Sequence, residues 1–390
     1  MNNNEVSHKR MILIVIANLF VVFLGIGLVI PVMPAMKKLM GLSGSTMGLL
    51  VAIFAIAQLI CSPIAGRLSD KHGRKKMIAI GMLLFAISEV IFGLAEDVSI
   101  LYFSRALGGV SAALIMPSVM AFVADMTSIE ERPKAMGWVS GAISGGFIIG
   151  PGIGGFLGNI SVRLPFYSAG ALGFLGFLLA VFLLKEPVKE HHHNSQQPAP
   201  SLLQTLFDPV LFFPFIIILI NAFGLAAFES MYGIYVDLNF GFTMNDIAMV
   251  VTGSGVLALI AQVVFFDQLV QRFGEIGLIR LCLILSVVFV VAIVITTNYW
   301  VVVGATFVIF LAFDLLRPAI TTFLSKNAGN HQGAVSGLNS ALTSVGNIVG
   351  PLLSGTLIDL NPHYPYYTVV FILSITLVLT LFWKKEKTRD

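Results

Sequence analysis

Apolar residues run in stretches of about twenty along almost the whole chain, separated by short polar breaks. A helix that crosses a bilayer needs about 20 such residues. Twelve stretches meet this length: 11–34, 47–65, 77–95, 99–124, 136–158, 165–184, 210–236, 247–270, 276–297, 299–323, 333–358 and 364–383. The pattern predicts an all-α membrane protein of twelve transmembrane helices in two pseudo-symmetric six-helix bundles, residues 1–184 and 210–390. The one long polar break, 185–209, reads as a linker on the same side as both termini, with Pro187, His191, His192, His193, Gln196, Gln197, Pro198 and Pro200. Its His triplet lacks a Cys or carboxylate at ligand spacing, so it reads as solvated linker and no metal is expected.

An internal echo supports the two halves. Residues 146–155 read GFIIGPGIGG and residues 346–355 read GNIVGPLLSG, each inside a long apolar stretch. In lipid, small residues let helix backbones approach closely, and neighbours can satisfy the carbonyl that a proline frees. Gly146, Gly150, Pro151, Gly154 and Gly155 in one half, with Gly350 and Pro351 in the other, therefore predict one close-packed, bendable helix per half. A duplicated membrane protein is first a transporter candidate.

Composition agrees with this placement and sets the orientation. Hydrophobic residues make up 57% and charged residues 11%, with a mean hydropathy of +0.93, against about 25% charged residues in soluble domains. Of 23 Lys and Arg, only Lys37, Lys38 and Arg163 fall on the outer side, while Arg105, Arg280 and Arg317 lie within spans. By the positive-inside rule both termini are cytoplasmic and the chain belongs in a cell membrane, by expectation a bacterial one. The net charge of +3 thus reports orientation and gives no reason to expect nucleic acid. The first span follows Lys9 and Arg10 as a signal peptide would, but it is too long and lacks a small-residue cleavage site. Cys61 and Cys282 sit in different halves within spans, so a disulfide is not expected. The sequon Asn159, Ile160, Ser161 reads as chance. No GxxxxGK[ST] stretch occurs, which points to an ion gradient as the energy source.

An ionisable group near the bilayer centre costs about 2.5 to 3.5 kcal/mol, so such groups are candidate working parts. The spans hold Glu89, Arg105, Glu229, Asp314 and Arg317. Helical spacing places Phe310, Phe313, Asp314 and Arg317 on one face, and Leu225, Glu229, Tyr232 and Val236 on another with Phe228 adjacent. If both faces line one cavity, it is an apolar pocket with two carboxylates, suited to flat lipophilic cations. A desolvated acid can hold a proton or, ionised, attract a cation, and one site cannot favour both at once. The alternatives are packing roles for the aromatic rings, an Asp314–Arg317 ion pair on successive turns, and carbonyl capping of Arg105. Glu89 reads as a helix-packing or water-facing residue.

Three sequence features resemble the major facilitator superfamily. The loop Gly66, Arg67, Leu68, Ser69, Asp70, Lys71, His72, Gly73, Arg74, Lys75, Lys76 is similar to its loop signature, with a worn copy at Asp267 to Gly274. The glycine-rich fifth span resembles its antiporter motif, and Leu24, Gly25, Pro31, Val32 and Pro34 resemble the signature of its twelve-helix drug:proton antiporters. LGIGLVIPVMP at 24–34, AFES at 227–230 and FDLLRPAIT at 313–321 are similar to the NorA/Bmr group, over essentially the whole chain.

That resemblance implies a multidrug efflux antiporter, not an enzyme, that needs no cofactor beyond protons. It implies proton-coupling roles for Glu229, Asp314, Arg317 and Arg105. It also implies drug contacts at Phe23, Ile26, Ile30, Phe54, Gln58, Met116, Phe228, Glu229, Tyr232, Phe310, Phe313 and Asp314. Asp70, Arg74 and Asp125, with Gly66 and Gly73 shaping the turn, read as a charge cluster that stabilises one gating state. Expected partners are lipophilic, often cationic small molecules and the lipid bilayer, with the protein a monomer. Two rivals stand: a selective proton-coupled exporter of a metabolite such as a polyamine, sugar or siderophore, and a membrane receptor or enzyme.

Overall fold

A computed structural model describes residues 3–128, 130–187, 202–328 and 332–382. The linker histidines His191, His192 and His193 lie outside the described residues. Among the described residues all regular structure is helical: α1 (Asn3–Val29), α2 (Met33–Met40), α3 (Gly44–His72), α4 (Arg74–Leu94), α5 (Val98–Asp125), α6 (Arg132–Ile160) and α7 (Leu164–Leu183). There follow α8 (Leu202–Leu206), α9 (Phe212–Phe240), α10 (Met244–Ile260), α11 (Phe266–Ile295), α12 (Tyr299–Asn327), α13 (Gln332–Leu360) and α14 (Tyr364–Phe382). A 3₁₀ turn, Ile30–Val32, joins α1 to α2, and a π turn, Ala261–Phe265, joins α10 to α11.

Among the described residues, eleven helical runs are long and apolar enough to cross a membrane. The longest of them, Met244–Ile295, is two helices joined without a loop, because the backbone breaks at Gly274, between the stretches 247–270 and 276–297 that the sequence pattern separates. Within it Gly274 leaves helical geometry (φ 70°, ψ 166°), a conformation open to glycine because it has no Cβ. The break falls where Asp267, Gln268, Gln271, Arg272 and Glu275 interrupt the apolar pattern, while the π turn lies inside the apolar stretch before it.

The described chain forms two compact units. Of the described residues, those within 3–42, 53–187 and 242–252 belong to the first, and those within 43–52, 202–241 and 253–382 to the second. In the first, Val15, Leu19 and Val22 of α1 bury against Ile78, Met82 and Phe85 of α4 and Ile115, Val119 and Phe122 of α5. The glycine echo is where backbones meet within each unit. A Cβ on Gly150 of α6 would lie 2.7 Å from Gly27 Cα and Leu24 O of α1. One on Gly350 of α13 would lie 2.7 Å from Phe223 O and 2.9 Å from Ala227 N of α9. Backbone cannot yield as a flexible side chain can, so glycine sets these helix separations.

Each unit also takes in a helix end from the other half of the sequence. In the second, Asp359 at the end of α13 accepts hydrogen bonds from Gly44 N (2.6 Å) and Ser45 N (2.8 Å), capping α3. A carboxylate there satisfies orphan donors and complements the helix dipole. In the first, Asn159 Nδ2 of α6 donates to Asn245 Oδ1 of α10 at 2.6 Å. Both members of this second pair lie 200 positions from Asp359 and Ser45, so the duplication repeats the contact with its charge removed.

Candidate transport site

The loop between α3 and α4 turns on Gly73, whose φ of 104° excludes most side chains. That turn presents Arg74 N and Lys75 N (3.0 Å for Lys75) to the Glu186 carboxylate. The Arg74 guanidinium pairs with Asp70 and, through Nε at 3.2 Å, with Asp125 at the end of α5. Its Nη1 also donates to Ser69 Oγ at 3.2 Å, and Ser118 of α5 joins Ser69 at 3.0 Å. Glu186 went unnoticed in the sequence because a lone acid more than a hundred residues away gives no local signal. Gly66 of α3 has open space around it.

Farther along α4 and α5, Glu89 Oε1 accepts from Arg105 Nη2 at 3.0 Å. Glu89 is only 3% exposed, which corrects the water-facing alternative, and its partner is a side chain on the next helix, sixteen positions on. The guanidinium also lies 4.3 Å from the Phe92 ring centre, so an ion pair and a cation–π contact hold Arg105 where carbonyl capping was one expectation. One turn on, a Cβ at Gly108 would lie 3.3 Å from the Phe54 ring. Phe54, Gln58, Phe23, Ile26, Ile30 and Met116 are all half-buried, with the Phe23 ring 5.0 Å from that of Phe147.

The second unit is arranged differently. Glu229 of α9 and Asp314 of α12 each follow a ring of one aromatic pair, Phe228 and Phe313, whose centres lie 6.5 Å apart, and Arg317 comes one turn after Asp314. Both acids are half-buried and Arg317 is exposed. Among the described residues no ion pair joins Asp314 to Arg317 or involves Glu229. Beside the acids the aromatic stripe folds into a cluster. Phe228 lies 5.6 Å from Phe310 and 5.5 Å from both Tyr232 and Tyr366, and Phe313 lies 6.5 Å from Phe228. Phe228, Tyr232, Phe310 and Phe313 are buried, and the Tyr232 hydroxyl shares a 3.1 Å hydrogen bond with Thr306 Oγ1. Sequence spacing brought these rings to the right helix faces without separating packing from lining. It missed Gln262, which donates from the π turn to the Asp314 backbone carbonyl at 3.1 Å. Among the described residues no cluster of His, Cys, Asp and Glu is arranged to hold a metal. Cys61 and Cys282 are free thiols.

Comparison with known proteins assigns the family. The sequence pattern of the Major Facilitator Superfamily matches residues 15–338 and again 214–390. Multidrug resistance protein 2 of Bacillus subtilis (strain 168) is 51% identical over 98% of this chain and 97% of its own length. Multidrug resistance protein 1 of the same organism is 49% identical over 95% of each. Quinolone resistance protein NorA of Staphylococcus aureus (strain MRSA252) is 42% identical over 98% of each. In three dimensions the chain resembles a bacterial homologue of the human lysosomal transporter Spinster, with a TM-score of 0.79 and 15% identity over 96% of each chain. It resembles the nucleoside transporter NupG equally, with a TM-score of 0.79 and 14% identity over 96% of this chain and 98% of the other, and these two likenesses speak to the fold alone. A duplicated, all-helical fold with apolar membrane-length helices and full-length relatives of this similarity makes it a multi-pass protein of the cytoplasmic membrane, and the chain belongs to the Major Facilitator Superfamily, alongside these bacterial multidrug resistance proteins.

Proposed function

We propose that the chain exports lipophilic, often cationic compounds in exchange for protons, by alternating access of a mid-membrane site. The observation that carries the reading is the pair Glu229 and Asp314: two acids of different helices beside one aromatic cluster, half-buried and outside any ion pair among the described residues. Ionised, they attract a cation; protonated, they release it. The names of relatives 51% and 42% identical to this chain support drug export, and membership of the superfamily supports proton coupling.

In this reading Arg317 and Arg105 tune proton movement, and Phe310, Phe313, Phe228 and Tyr232 offer aromatic surface to the cargo when the cluster opens. Phe23, Ile26, Ile30, Phe54, Gln58 and Met116 supply the half-buried apolar surface of the first unit. The Arg74 cluster and the glycine–proline helices α6 and α13 govern which conformation is favoured. The reading includes twelve spans, with Met244–Ile295 counted as two, bundles at 1–184 and 210–390 about the linker, cytoplasmic termini and a monomer. Two acids allow one or two protons per cycle, and the second would add about 2.3 kcal/mol per 100 mV of membrane potential.

The test is uptake of a fluorescent lipophilic cation into inverted vesicles under an imposed pH gradient. Uptake is expected, with collapse on adding a protonophore and strong loss in Glu229→Gln and Asp314→Asn. Transport confined to one metabolite, or normal transport in both variants at matched expression, would overturn the reading.

A further inference from the structure

Pro318 lies four residues after Asp314 in α12. In a regular helix the amide of residue 318 would donate to the carbonyl of residue 314, but proline has no N–H. The Asp314 carbonyl, on the residue that carries the acid, is thereby left without its helical partner. The structure fills the vacancy from another helix: Gln262 Nε2 donates to Asp314 O at 3.1 Å. Gln262 belongs to the π turn Ala261–Phe265, an extra-wide turn of a kind concentrated at functional sites. It is also an exposed amide in an apolar membrane-length run, where a polar group without a hydrogen bond is costly. A proline that frees a carbonyl, a local change of helix type and a side-chain donor all converge on the residue bearing the acid.

We propose that Gln262 is a positioning residue for Asp314, its side-chain amide taking the hydrogen bond that Pro318 cannot donate. The clasp ties the acid-bearing turn of α12 to the π turn, so that the carboxyl is held in place while its proton or cation partner changes. The other charged groups of the proposed site are Glu229 of α9 and Arg317 of α12, and Gln262 adds a neutral anchor on the backbone beneath the carboxyl. The inference rests on the reading of Asp314 as an exchange site.

The test separates proton-driven efflux from substrate counterflow, which exchanges cargo for cargo without a proton gradient, in proteoliposomes of the full chain. Gln262→Leu is expected to lower proton-driven efflux about 3- to 10-fold, the span set by loss of one hydrogen bond, and to lower counterflow, which uses the same carboxyl for cargo alone, by a smaller factor. Gln262→Asn, one methylene too short to reach, is expected to do the same. In a Pro318→Ala background α12 supplies its own N–H to the Asp314 carbonyl, so the effect of Gln262→Leu is expected to vanish. Equal loss of both activities, unchanged efflux, or the same loss with and without Pro318 would overturn the inference. Full efflux in Asp314→Asn would instead remove the underlying reading. Impaired Asp314→Asn beside normal Gln262→Leu would remove only the clasp.

Discussion

In the first unit the buried carboxylate of Glu89 lies 3.0 Å from Arg105, while in the second Glu229 and Asp314 flank one aromatic cluster and neither acid joins an ion pair among the described residues. The two arrangements answer the cost of charge in apolar surroundings differently. Pairing offsets desolvation internally and yields a fixed element, whereas unpaired acids stay responsive to protons and to a cation arriving from outside. The contrast is between a buried carboxylate held in an ion pair and two half-buried carboxylates outside any ion pair among the described residues. Surrounding surface follows the same division: the expected pocket residues of the first unit are half-buried, and the aromatic rings of the second are packed together.

The largest contrast is expected between Glu89→Gln and Glu229→Gln. The first strands a half-buried guanidinium and is expected to cost about 2 to 4 kcal/mol, somewhat below the penalty for removing one partner of a fully buried pair. Thermal unfolding in detergent should show it as a large drop in Tm. The second strands no partner and should change stability by less than about 1 kcal/mol. It should nevertheless reduce proton-driven cation efflux at least about tenfold, because the site can no longer gain and lose a proton. Similar stability losses in the two variants would erase the distinction.

A smaller effect tests the glycine echo within single helices. Gly350→Ala drives a methyl into the α9 backbone and is expected to cost about 1 to 3 kcal/mol. Gly337→Ala, in the same helix with nothing within 4 Å of its added Cβ, should instead stabilise by up to about 1 kcal/mol through helix propensity. Gly150→Ala and Gly141→Ala of α6 should divide in the same way, since the first meets α1 backbone and the second meets open space. Tm values of the four variants check the ordering.

The smallest effect concerns the duplicated helix-end contacts. Asp359→Asn removes a charged cap from α3 and is expected to cost about 0.5 to 1 kcal/mol, seen as faster hydrogen exchange in the first turn of that helix. Asn159→Ala removes only a neutral pair and should loosen the start of α10 less. Equal effects would mean that the charge difference between the copies has no energetic consequence.

Much of the fold was legible because lipid imposes length and glycine marks close approach. The echo at 146–155 and 346–355 coincides with the α1–α6 and α9–α13 contacts for that reason. Helical spacing also put Phe310, Phe313 and Asp314 on one face. What stayed hidden depends on which helices become neighbours. Glu89 and Arg105 lie sixteen positions apart on separate helices, and periodicity assigns each a face but no partner. The polar residues around Gly274 marked the break between 247–270 and 276–297, but the π turn inside the first of these leaves no hydropathy signal, and with it the contact of Gln262 with the Asp314 carbonyl was hidden. Glu186 and Asp359 cap helices distant in sequence, so no local pattern announces them.

The central claim is that Glu229 and Asp314 hold protons and cargo by turns. The direct measurement is proton release when a lipophilic cation is added to the purified chain in weakly buffered solution near neutral pH. The wild-type protein should release protons in proportion to cation bound, and the Glu229→Gln, Asp314→Asn double variant should release none. Undiminished release from the double variant, or cation binding by the wild type with no release at any pH tested, would contradict it.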